Sequence, residues 1–95
     1  MTAAMGAMEP KEAPVGYKVP LLMTPQPEGG YTVTSPLLPE LITEGGSIRD
    51  AMENVTDALA AVVELYEELG RPLPQGTQIA VTSDPVWFET VISTA

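Results

Sequence analysis

Residues 47–69, SIRDAMENVTDALAAVVELYEEL, constrain the fold of this chain more than any other stretch. Ser47 has a hydroxyl suited to an N-cap, Asp50 three residues on completes a capping-box-like arrangement, and Gly70 before Arg71-Pro72 supplies a stop. At about 100° per residue, Ala51, Met52, Val55, Ala58, Leu59, Val62, Leu65, Tyr66 and Leu69 share one half of the helix. Asp50, Glu53, Asp57, Glu64, Glu67 and Glu68 occupy the other half. Met52, Leu59 and Tyr66 recur at coiled-coil spacing, but the repeat is short and the apolar half is broad, which favours packing against a sheet.

The rest of the chain reads as strands and turns. Residues 17–24 (YKVPLLMT) place Tyr17, Val19, Leu21 and Met23 on one face, with Pro20 confining the strand to an edge or an irregular position. After the turn PQPEGG, residues 31–35 alternate Tyr31, Val33 and Ser35 with Thr32 and Thr34, predicting a hairpin with the first strand. Pro36 ends that strand. A third short strand is expected around residues 41–44, with Gly45 and Gly46 freeing the backbone for a sharp turn into the helix. Beyond the loop holding Pro72, Pro74 and Gly76, residues 78–82 are β-prone and residues 86–93 are expected to form the final strand. Trp87 and Phe88 then point to opposite faces, one toward the core and the other an interface anchor or a side chain covered within the domain.

The fold class is therefore α+β: β-β-β-α-β, a mainly antiparallel sheet with one long amphipathic helix on one face. The other sheet face must be polar, guarded or occupied by a partner. Residues 17–95 are expected to form the domain and residues 1–16, rich in Ala, Met and Pro, a flexible N-terminal extension. A chain of this length buries only about 60 to 68% of its unfolded surface, so pairing with a second copy, as a homodimer or higher homo-oligomer, would help it. The N-terminus lacks the basic start and apolar run of a secretory signal, and no segment has the length of a membrane span, leaving a cytoplasmic protein as the expectation.

Composition narrows the chemistry. Thirteen acidic residues oppose four basic ones, a formal charge of −9 that disfavours nucleic-acid backbones and favours a basic protein partner. The chain has no histidine and no cysteine, removing the commonest general base, metal ligand and low-pKa nucleophile together. The serines fall in no GxSxG turn, and Gly29-Gly30 and Gly45-Gly46 are turn pairs beside Glu28 and Glu44 rather than a phosphate loop. Catalytic, metal and cofactor sites are thus not expected. Glu64, Glu67 and Glu68 on the helix, with Trp87, are the candidate partner-binding residues.

Residues 31–74 resemble the core of the HicB-like antitoxin family. The resemblance rests on Pro36, Pro39, Thr43, Gly45, Ser47, Asp50, Ala51, Gly70, Pro72 and Pro74 in order and at spacing, of which Pro36, Pro39, Gly45, Ser47, Asp50, Gly70 and Pro72 are read as structural. Glu40 stands where the family often has Gly, and Gly46 where it often has Asp. The resemblance implies a module of partial ribonuclease-H-like topology that is not itself a nuclease. It also implies a partner, a small basic HicA-like toxin that cleaves messenger RNA, neutralised by being bound. The alternative is a solitary domain of this type that self-associates without a toxin. Many family members carry a C-terminal DNA-binding domain; with the last strand expected near residue 93, none is expected here.

Overall fold

The computed structural model describes residues 15–92 and Thr94. Strands β1 (Val15–Tyr17), β2 (Leu22–Pro25), β3 (Tyr31–Thr34) and β4 (Ile42–Gly45) precede helix α1 (Ile48–Leu69), and β5 (Gln78–Ala80) follows it. β2, β3 and β4 form an antiparallel sheet in that order, while β1 and β5 pair antiparallel in a second, two-stranded sheet. The α+β architecture read from the sequence is present. The first expected strand is split in two around Pro20, which has no N–H to donate to a ladder, so β1 pairs with β5 and β2 with β3. β1 also begins at Val15, inside the segment expected to be an extension; residues 1–14 of that segment lie outside the described residues.

The β2–β3 hairpin closes over residues 26–30, with Gln26 N–H donating to the Gly30 carbonyl at 2.9 Å. Gly29 and Gly30 sit at φ 106° and 81°, left-handed conformations that a side chain would strain. Period-two alternation then sorts the faces. On the helix side Val33 is fully buried, paired across the sheet with Met23 and Thr43. On the far side Leu22 and Ile42, both opposite Thr34, are 60% and 65% exposed.

α1 begins as its sequence dictates. The Ser47 hydroxyl accepts from Asp50 N–H at 3.1 Å, with Ser47 itself extended at φ −141°. Only this half of a capping box forms: no return bond from the Asp50 carboxylate is present, because aspartate is one methylene shorter than the glutamate that reaches back in a full box. At the far end Gly70 is left-handed at φ 68°, and the N–H groups of Gly70 and Arg71 return to the Glu67 and Tyr66 carbonyls, a Schellman stop.

The reason for Gly45 differs from the expectation. It has no positive φ; a Cβ there would lie 2.6 Å from Ala51 Cα and 2.7 Å from the Asp50 carbonyl carbon, and closer still to Ala51 N. The end of β4 is pressed against the first turn of α1 backbone to backbone. Gly46 is open, its nearest neighbour being an Asp50 carboxylate oxygen at 3.9 Å. Fully buried Ala51 belongs to this contact, packing with Val33 and Val55.

A second cluster joins Leu38, Leu41, Val62 and Tyr66. Ser35 and the flanking prolines Pro36 and Pro39 shape the crossing from β3 to β4: Leu37 N–H donates to the Ser35 hydroxyl, and Leu41 N–H to the Leu38 carbonyl at 2.9 Å. This folded crossing drives Leu38 and Leu41 beneath the C-terminal half of α1, each contributing about 1.5–3 kcal/mol by burial. Leu21, between β1 and β2, packs against both clusters.

The final strand expected over residues 86–93 is not formed across residues 86–92, and Ser93 lies outside the described residues. Those residues have β propensity, but a strand needs a ladder partner, and the segment pairs with none of the edges that β1, β5, β2 and β4 leave open. Neither Trp87 nor Phe88 reaches the core; they are 89% and 76% exposed.

The two kinds of glycine should separate on substitution. Gly45→Ala is expected to cost about 1–3 kcal/mol through overpacking against Ala51, and Gly70→Ala about 1–2 kcal/mol from its left-handed backbone alone. Gly46→Ala should be close to neutral. Urea melts of the three variants check the order.

Candidate partner-binding surface

The acidic half of α1 is an exposed surface. Glu53, Asp57, Glu64, Glu67 and Glu68 are all exposed, and the described hydrogen bonds and ion pairs engage none of their side chains. Glu64, Glu67 and Glu68 are spaced three and four residues apart and repel one another. They also crowd the last two turns of the helix, where the macrodipole is negative and the last turn itself holds no basic residue.

Three residues that sequence reasoning had not joined secure the end of that surface. The Tyr66 hydroxyl donates to Glu40 Oε1 at 2.8 Å, Arg71 lies 3.7 Å from Glu40 Oε2, and the Arg71 guanidinium sits 4.5 Å above the Tyr66 ring. Glu40 occupies the crossing between β3 and β4, so the group ties the crossing to the helix stop. The hydrogen bond from Tyr66 is the main influence holding the Glu40 carboxyl below its ordinary range, aided by a backbone hydrogen bond; burial opposes them, and the Arg71 charge adds the smallest lowering effect. The same bond is the main cause raising the Tyr66 phenol, with burial and the Glu40 charge adding to it. The signal for this group was the glutamate standing in place of the expected glycine after Pro39.

An open cleft of about 610 Å³ lies at the other end of the sheet, where the β2–β3 turn meets the β4–α1 junction. Its walls are backbone of the two glycine pairs together with Glu28, Glu44 and Asn54. Asn54 Nδ2 donates to the Glu44 carbonyl at 2.7 Å, holding β4 to the helix. An acidic rim without a cation repels phosphate, and among the described residues no group of three or more potential ligands is placed to hold a metal ion.

Trp87 is not part of the acidic surface. Residues 90–92, a few positions on, lie along the first three turns of α1, where Thr90, Val91 and Ile92 share a groove with Ile48, Met52 and Thr56. Thr56 is about 12 Å along the helix axis from Glu64. The structure thus brings Glu64, Glu67 and Glu68 together and leaves Trp87 elsewhere.

Such an arrangement defines a class: a small acidic α+β scaffold with a long charged helix face, in which no histidine or cysteine supplies proton transfer. The comparison with known proteins makes it particular. Over 57 residues the chain is 39% identical to Antitoxin HicB of Escherichia coli, in strain K12 and in O157:H7 alike, and 37% identical to Antitoxin HicB 1 of Photorhabdus laumondii. The matched segment is 60% of this chain but 41% of the E. coli proteins and 37% of the P. laumondii protein, so it spans about two fifths of their length. No family model matches the chain. The similarity to proteins named Antitoxin HicB agrees with the resemblance carried by the proline, glycine and cap pattern. Among the described residues no helix is long and apolar enough to cross a membrane.

The Tyr66–Glu40 bond predicts a pH signature. Glu40 titrates lower in the folded state, so its stabilisation is fully present above the ordinary glutamate value of about 4.3 and is lost as pH falls through the folded value. Tyr66 titrates higher when folded, so its stabilisation is present below about 10 and declines as pH rises beyond it. Tyr66→Phe should flatten both limbs of the stability profile, measured by urea denaturation across pH.

Proposed function

We propose that this chain is the toxin-binding module of a HicB-type antitoxin: a non-catalytic protein of the cytoplasm that docks on a small basic toxin of the HicA type and covers its working surface. Residues 17–95 form the binding domain in this reading. The observation that carries it is the 57-residue similarity, 60% of this chain, to proteins named Antitoxin HicB. The charge supports the same reading. A formal −9 steers a basic partner from a distance, and the exposed Glu64, Glu67 and Glu68 sit where they disfavour the helix, as expected of residues kept for binding. The lack of histidine and cysteine supports inhibition by coverage over any reaction of the chain's own.

A second reading, a solitary HicB-like domain that self-associates, is favoured by one specific feature, the exposed apolar residues around Trp87. The two readings have opposite salt dependence. Attraction of a basic toxin weakens as salt screens it, whereas self-association of an acidic chain strengthens.

The test is association with a purified HicA-type toxin followed by stopped flow. Glu64→Lys, Glu67→Lys and Glu68→Lys together should slow association most at low salt, and the difference should shrink at high salt. The same changes near the C-terminal end of α1 should stabilise the free chain by about 0.3–1 kcal/mol each. Unchanged association, or destabilisation by all three, would refute a binding role for this face.

A further inference from the structure

We infer that Asn54 is an edge latch: by donating to the Glu44 carbonyl it closes the one side of the three-stranded sheet that proline does not guard against an incoming strand. This goes beyond the proposed function, rests on sheet geometry alone, and stands or falls separately from the antitoxin reading.

Which backbone groups face outward follows from the hairpin. Gln26 N–H donates to the Gly30 carbonyl, so the backbone groups of every second residue before Gln26, those of Thr24 and Leu22, face β3. Those of Met23 and Pro25 face away from it. The same alternation in β3 turns Thr32 and Thr34 toward β2, and Tyr31 and Val33 toward β4. Gly45 and Thr43, the partners of Tyr31 and Val33, answer them, which leaves Ile42 and Glu44 with their N–H and C=O on the outer edge of β4. The bond from Asn54 Nδ2 reaches one of these outward groups, the Glu44 carbonyl, at 2.7 Å.

The two edges are guarded by different means. On β2, Pro25 stands at an outward position and has no N–H, so Met23 alone among its residues offers an outward donor. β4 holds no proline, and its guard comes from α1. Asn54 lies three residues beyond Ala51, whose contact with Gly45 fixes the helix against the end of the strand. Its amide nitrogen takes the place that the N–H of a fourth strand would occupy. The sheet has reason to be guarded. Residues 31–35 (YTVTS) and 41–43 (LIT) are β-prone and uncharged. On the far face, exposed Leu22 and Ile42 flank Thr34 in a row that an added strand would extend.

Residue-resolved amide hydrogen exchange of the 95-residue chain, followed by NMR over a range of concentrations, tests this. With Asn54 in place, the outward Ile42 and Glu44 amides should exchange rapidly at every concentration. Asn54→Ala should make them protected as concentration rises, with pairing at this edge about tenfold stronger, the effect of one freed carbonyl. Asn54 is exposed and belongs to neither core cluster, so the variant keeps its fold. Adding Ile42→Lys to Asn54→Ala should abolish the protection, because a lysine on an edge opposes strand addition. Val55→Ala weakens the core without touching the latch and should give no protection. Equal protection in Val55→Ala overturns the inference, since a loosened helix would then suffice. So do amides that stay unprotected in Asn54→Ala, or amides that gain protection with concentration while Asn54 is present.

Discussion

The contact on which the structure depends is the meeting of β4 and α1 at Gly45 and Ala51. There the backbones approach so closely that no side chain fits between them, and everything downstream is set by that approach. It places Ala51 and Val55 on Val33, lets Asn54 bond to the Glu44 carbonyl, and points the helix across the sheet. Small residues at a crossing serve interior packing because a dense interior leaves no room for a methylene more. Gly45 and Ala51 thus serve one contact together.

From that junction the helix divides the molecule by function. Its apolar half is used twice, at the N-terminal end over Val33 and at the C-terminal end over Leu38 and Leu41. The proline-framed crossing is the device for the second use: it folds back so that its leucines, not the sheet, cover Val62 and Tyr66. Glu40, Tyr66 and Arg71 fasten this crossing to the helix stop, so the end of α1 that bears Glu64, Glu67 and Glu68 is also the end held most firmly to the crossing.

Much of the candidate surface was legible because it depends on local rules. The helical period assigned Glu64, Glu67 and Glu68 to the solvent side, and the structure keeps them there. For Trp87 the sequence left a core position, an interface anchor and cover within the domain all open, since its neighbours depend on where a strand finds a partner. Glu40 was noticed as a departure from a pattern, but its partners Tyr66 and Arg71 lie 26 and 31 positions away, and contacts at such separation leave no periodic trace in the chain.

The amino-acid sequence by itself determined the α+β class, the limits of α1, its hydroxyl cap, its glycine stop and the sorting of apolar from acidic residues. These follow from dihedral preferences, hydrogen bonding over a few residues and the 3.6-residue period, all of which act within one turn or one strand. Tertiary structure alone decided that Gly45 is needed for proximity and not for conformation, and that Pro20 divides one strand between two sheets. It also decided that residues 86–92 remain without a ladder. Each of these is a question of which distant backbone comes alongside, and that is settled by packing the whole chain at once.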